Sequence, residues 1–348
     1  MLKHRLFWPS AALLALLLGD FVARPGFFSI QLRDGHLYGT LVDILRLGAP
    51  LILVALGMTL VVATGGIDLS VGSVVAISGA VACLHLSGLG NQNSVGGTLA
   101  AMGMALGLCL VLGACNGLLV AALGIQPIIA TLILMVAGRG LAQLITDGQI
   151  ITITSGPFRA LGGGYVLMLP LSILIALAMV VLSSLLVRRS ALGLLIEAVG
   201  GNPEASRLAG IRSGRLIWLV YVFGAVCAGL AGLMISSNVS SADGNNAGLW
   251  IELDAILAVV IGGTQLSGGR FSLGGTVIGA LLIQTLSTTV YTLGIPPETT
   301  LLFKALVVTA VCLIQSPAFR RRFNRQAGGR TPRVSPRTER KEKVKVPA

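Results

Sequence analysis

A few charged or amide side chains interrupt otherwise apolar stretches of this chain, and its chemistry must lie with them. Asp68 follows a glycine pair in GGIDLSVG, Arg139 falls inside ILMVAGRGLAQL, and Glu252 and Asp254 follow Trp250 in LWIELDAIL. Asn116 and Gln284 stand in apolar runs in the same way, as do Thr131 and Gln143. A charge in such surroundings costs about 2.5–3.5 kcal/mol on the insertion scale, so each needs a partner, water or an interface. Asp68 is placed either to cap the helix that starts after Ser70 or to bind a neighbouring chain. Arg139 stands twelve residues past Pro127, about 18 Å along a helix, where a structural ion pair and a place on a polar pathway are both open. Glu252 and Asp254 suit either such a pathway or the headgroup level. Asn116, Thr131, Gln143 and Gln284 are candidates to hydrogen-bond a hydroxylated solute, or simply a neighbouring helix.

Bond-making chemistry has no comparable footing. The chain lacks a G-x-x-x-x-G-K-[ST] phosphate loop, an H-E-x-x-H pair and a nucleophile elbow. Its five cysteines have no C-x-x-C spacing, and His4, His36 and His85 are scattered, so no catalytic residue, metal site or cofactor is assigned. Transport is the natural function, with energy supplied from elsewhere.

The most informative hydrophilic stretch, GLLIEAVGGNPEASRLAGIRSGR, runs from Gly193 to Arg215. Asn202 fits an N-cap, Pro203 the first helical position, Glu204 the positive helix end and Gly210 the C-terminal stop. The expectation is one short helix outside the membrane, either an ordinary linker or a docking element for a soluble partner.

The elements that must position these groups are membrane helices. Of 348 residues 54% are hydrophobic and only 11% charged, with a mean hydropathy of +0.89, where soluble domains carry about 25% charged residues. Apolar runs at 6–22, 47–64, 71–86, 98–123, 127–145, 166–187, 216–236, 249–263, 273–293 and 300–315 predict an all-α polytopic bundle of about ten membrane helices. The first run is read as an uncleaved span, since no A-x-A site follows it. Lys3, Arg5, the loop 188–215 and the basic tail then share one side, which the positive-inside rule makes cytoplasmic for both termini. Residues 1–319 form the transmembrane domain. Residues 320–348 carry eleven Arg and Lys against two Glu and form a disordered tail that meets anionic lipid, not nucleic acid.

Glycines break two spans, at GGIDLSVG (65–72) and GGTQLSGGRFSLGG (262–275). GGIDLSVGSV and GGRFSLGGTV align with one gap, which hints at an internal repeat with half-spanning helices on a transport route. The pairs Gly103/Gly107, Gly113/Gly117 and Gly275/Gly279 have the spacing that lets helices approach closely.

Several long segments resemble the permease family of bacterial ABC importers for ribose-like monosaccharides: GMTLVVATGGIDLSVGSVVAISGA (57–80), ACNGLLVAALGIQPIIATL (114–132), EAVGGNPEASRLAGI (197–211) and ELDAILAVVIGGTQLSGG (252–269). The resemblance runs from about Ile44 to Ser316. RDGHLYGTLVDIL (33–45), TLILMVAGRGLAQLITDGQI (131–150) and DGNNAGLW (243–250) are most similar to its galactofuranose branch. It implies a permease subunit of the bacterial inner membrane that moves a monosaccharide. Its partners would be a cytoplasmic ATPase with two fused ATP-binding halves carrying ATP and Mg, a periplasmic sugar-binding protein and a second permease chain, the same or different. It also makes the 197–211 segment a coupling helix, with Glu197, Gly200, Asn202, Glu204 and Gly210 as coupling residues. The competing readings are an ion-coupled secondary transporter using Asp68, Glu252 or Asp254, and an ABC permease for a branched-chain amino acid.

Overall fold

A computed structural model describes residues 2–315 except Pro25, Asp34, Ile295, Pro297 and Glu298; the tail 320–348 lies outside the described residues. Each of the ten apolar runs contains a helix. They are α1 (Leu2–Ala23), α2 (Thr40–Ala63), α3 (Val71–Ser87), α4 (Val95–Ala121), α5 (Pro127–Ile145), α7 (Leu171–Arg189), α10 (Ser213–Val239), α11 (Ile251–Ile261), α12 (Leu273–Thr292) and α13 (Thr300–Gln315). Among the described residues, seven helices are long and apolar enough to cross a membrane. The 17 residues of α3 and 11 of α11 reach only about 25 and 16 Å. The chain is thus an all-α polytopic membrane protein with half-spanning members.

Two boundaries differ from expectation. The run that opens at Val166 begins as a hairpin, β4 (Tyr165–Val166) with β5 (Leu169–Pro170), and becomes helical only at Leu171. Apolarity could not reveal this, because Leu167 and Met168 form the turn with positive φ. On the same face of the bundle lie the short helix α6 (Gly156–Gly163) and two further ladders. These pair β1 (Gln31–Arg33) with β2 (His36–Tyr38), and β3 (Ile150–Thr152) with β6 (Ser241–Asp243). The opposite face carries a loop of two helices, α8 (Leu192–Gly201) and α9 (Pro203–Leu208), where one was expected.

The centre of the bundle is α2, whose apolar window is 83% buried, with α10 and α12 at 61% each; α1, α5 and α7 are 11–22% buried. Lipid is as apolar as leucine, so close backbone approach selects the centre. A Cβ on Gly57 would lie 2.7 Å from the Gly224 Cα, and one on Gly113 2.5 Å from the Ala225 Cβ. Gly117 meets Trp218, Gly275 meets Gly262 and Gly279 meets Ala258. Gly103 and Gly107 have no neighbour within 4 Å, so that pair makes no seam within this chain, contrary to its spacing. Asp20 of α1 accepts a hydrogen bond from Thr289 Oγ1 at 2.8 Å, which ties α1 to α12.

Candidate functional site

The first break, residues 64–70, turns inward from the end of α2. Gly65 has φ +83°, a conformation costly for any residue with a side chain. Asp68 is 2% exposed; its Oδ1 accepts from Ser70 N at 2.9 Å and from Ser70 Oγ at 2.6 Å, closing the turn that starts α3. Ser70 Oγ accepts in turn from Asn116 Nδ2 of α4 at 2.9 Å. Thr131 of α5 donates to Ile67 O at 3.2 Å, and Ser73 donates to Leu134 O of α5 at 3.2 Å. Two neighbouring helices therefore hold the break by polar side chains. Asn116 lies between Gly113 and Gly117, which pack on α10 at Tyr221 to Ala225 and at Trp218; counted from Ser213 that is roughly 8–18 Å along α10. So α3 begins well inside the bundle.

A second inward turn follows β6. Asp243 Oδ1 accepts from the backbone N–H groups of Asn245 and Asn246, and its Oδ2 from Asn246 Nδ2. Burial pushes the Asp243 carboxyl up, but these bonds and the nearby Arg139 charge outweigh it and hold it below its ordinary value. Arg139 Nη1 donates to Ala247 O at 2.7 Å and to Gly244 O and Asn245 O at 3.4 Å each. Among the described residues Arg139 forms no ion pair; it satisfies carbonyls that a re-entrant backbone leaves without partners. Trp250, with φ +65°, then starts α11. Gly248 lies against Gly72 O, and Glu252 packs on Gly72 of α3 at 3% exposure. The two half-helices thus begin side by side.

Two orphan atoms mark this seam. Glu252 Oε2 and the Tyr221 hydroxyl, which lies beside Gly66, are buried without a hydrogen-bond partner among the described residues. Such atoms in an apolar bundle point to a place where a polar species or another conformation supplies the missing partner. Asp68, Asn116, Arg139 and Glu252 are therefore gathered along the α3–α11 seam. Asp254 is not; it pairs with Lys304 of α13 at 2.7 Å. Gln284 packs on Gly48 of α2 and donates to Thr288 Oγ1 at 3.5 Å. Tyr221, Ser70 and Lys304 were not singled out from sequence. Lys304 carried the same signal as Arg139, a charge inside an apolar run, whereas Tyr221 and Ser70 looked like ordinary helix residues. Among the described residues, no three His, Cys, Asp or Glu gather as metal ligands.

The opposite end of the site is the α8–α9 loop. Asn202 Oδ1 accepts from Ala205 N at 3.0 Å. Gly210 N donates to Arg207 O and Ile211 N to Ser206 O, with Gly210 at φ +82°, which completes a Schellman stop. Glu204 pairs with Arg207 at 2.7 Å in solvent, and Glu197 is half-buried on α8. Gly200 is a packing position. A Cβ there would overlap the Ala63 carbonyl oxygen at the end of α2 and come within 2.6 Å of Gly269 N. Gly269 N itself donates to Ala63 O at 2.9 Å, and a Cβ on Gly268 would lie 3.0 Å from Gly65 Cα and 2.7 Å from Gly200 O. The α8 end, the first break and the second glycine-rich break meet at this one joint.

A family profile described as branched-chain amino acid transport system / permease component matches residues 40–312. The chain is 49% identical to the galactofuranose transporter permease protein YtfT of Escherichia coli strain K12, over 91% of this chain and 93% of that one. It is 40% identical to the fructose import permease protein FruF of Bifidobacterium longum, over 91% and 89%, and 36% identical to the ribose import permease protein RbsC of Escherichia coli strain K12, over 88% and 92%. No solved structure matches the chain.

Proposed function

Because the chain belongs to the family of branched-chain amino acid transport system / permease components, as a membrane permease of a sugar ABC importer, we propose that it carries galactofuranose or a related monosaccharide inward across the bacterial inner membrane. It is a transport subunit, and the ATPase that drives it is a separate subunit, with a substrate-binding protein as the further partner the importer class implies. In our reading the ATPase has two fused ATP-binding halves and holds the ATP and Mg, the binding protein delivers sugar from the periplasm, and a second permease completes the pathway. Both termini and the α8–α9 loop face the cytoplasm; the loop-side arginines Arg188, Arg189, Arg207, Arg212, Arg215 and Arg270 support that orientation.

The observation that carries the mechanism is the joint of Gly200, Ala63 and Gly269. A push on α9 reaches the end of α2 and the turn before α12 through backbone contacts too tight for a side chain. Closure of the ATPase would then shift the 262–272 break against the braced 64–70 break and open the α3–α11 seam, where Asp68, Asn116, Arg139, Glu252 and Tyr221 line or support the route. Such a route favours passage over tight binding, since most of its polar atoms are already paired within the protein.

The test is to co-express the chain with a two-domain ATPase and a second permease, purify the assembly, and add binding protein loaded with single sugars. ATPase stimulation by galactofuranose-loaded protein is expected. A chain that purifies alone, with uptake that survives ATP depletion and collapses with the ion gradient, would overturn the proposal. That second reading rests on the unpartnered Glu252 Oε2.

A further inference from the structure

Beside the transport route, on the face that carries the α8–α9 loop, α2, α7, α8 and α10 enclose a cavity of about 210 Å³. Leu60, Leu186, Val187, Ile196, Leu216 and Phe223 are among its walls. Its one hydroxyl, on Ser183, is already spent on Met179 O at 2.6 Å. An apolar cavity of this kind has nothing to offer water. Rim residues Leu186 and Leu219 are exposed, so it opens sideways toward the bilayer and not into the seam between α3 and α11.

Charge surrounds the same opening. Arg188 follows the wall residue Val187 directly, with Arg189 next to it, and Arg215 directly precedes the wall residue Leu216. Neighbouring Cα atoms are only 3.8 Å apart, so the backbone of each arginine stands within one or two residues of a wall residue, and the length of its side chain spans that separation. All three are exposed and form no salt bridge or side-chain hydrogen bond among the described residues. An apolar slot beneath unpaired cations, at the end of membrane helices, matches one ligand chemistry: an acyl chain below an anionic headgroup.

We infer that this cavity is a site for an anionic phospholipid, with one acyl chain between α7, α8 and α10 and its phosphate among Arg188, Arg189 and Arg215. Because Leu192 and Ile196 of α8 form its floor, the bound lipid braces the α8–α9 loop against the bundle. The inference does not depend on the sugar or on the ATPase.

Native mass spectrometry of the full-length chain, extracted in mild detergent and exchanged with phosphatidylglycerol or phosphatidylcholine, tests it. Wild type retains phosphatidylglycerol preferentially. Retention falls about fivefold for each arginine removed on the way to R188A/R189A/R215A, as expected for about 1 kcal/mol per basic residue. The lysine triple variant keeps it, which separates lost charge from lost fold. Leu219→Trp fills the mouth and loses the lipid with its arginines intact. Equal retention of the two lipids by wild type, or undiminished phosphatidylglycerol in either the alanine triple variant or Leu219→Trp, overturns the inference.

Discussion

The glycine-rich breaks at 64–70 and 262–272 align in sequence and touch in space, yet they are held in opposite ways. The first is largely buried, its carboxylate turned on its own chain and its serine anchored by Asn116. In the second, residues 265–267 and Arg270 are exposed, and its fixed points are Thr264 Oγ1, which accepts from Ser272 N at 3.3 Å, and Ser272 Oγ, which accepts from Gly275 N at 3.1 Å. The aligned glycines Gly65 and Gly268 have φ +83° and +86° and lie against each other. In the proposed mechanism, one repeat-like turn is thus a braced wall of the route, and its counterpart a lever reachable from solvent. An importer driven from one side needs that division, because an element that both moves and seals would leak.

The largest effect that sharpens this contrast is at the joint itself. Gly200→Val forces a side chain into the Ala63 carbonyl and is expected to cost about 3 kcal/mol or more. Gly201→Val has open space around its Cβ and should behave as wild type. Thermal unfolding in detergent separates the two, and equal melting would mean that the joint carries no force. For this reason Gly200, which the family resemblance made a coupling residue, is a poor probe of coupling. Next is Arg139→Met, which strands the Ala247 carbonyl and weakens the inward turn by about 1–3 kcal/mol, with Arg139→Lys restoring part. Loss of protection from hydrogen exchange confined to 244–250 is the expected readout.

Asn116→Ala at the braced break should cost about 1 kcal/mol, and Thr264→Val at the exposed break about half of that, since its bond is longer and its surroundings wetter. A larger loss at Thr264 would reverse the assignment of wall and lever.

The helices were legible because a span needs a long apolar run, and the Asn202 cap and Gly210 stop because capping depends on residue types a few positions apart. Burial was not legible in hydropathy: α7 and α2 have similar values, 2.4 and 2.1, with 17% and 83% buried. The Gly103/Gly107 pair shows the same limit, since spacing gives a flat face but not a neighbour. Arg139 was found by its cost in lipid, but its carbonyl partners come from a re-entrant turn over a hundred residues away. Tyr221 became visible only when α10 brought its hydroxyl against Gly66.

The smallest structural effect carries the most functional content. Glu204→Ala removes an exposed pair with Arg207, and exposed pairs hold a fold together weakly because water and salt screen them. The Asn202 cap and Gly210 stop that shape α9 remain. The melting temperature should therefore not move measurably, and assembly with the ATPase should weaken only if Glu204 faces it. The lever reading then demands that ATP hydrolysis proceed while sugar uptake falls severalfold. Asn116→Ala should instead lower uptake and stimulated hydrolysis together, because it loosens the wall and leaves the joint intact. If Glu204→Ala lowers both in proportion, α9 serves assembly alone, and force reaches the breaks by another path.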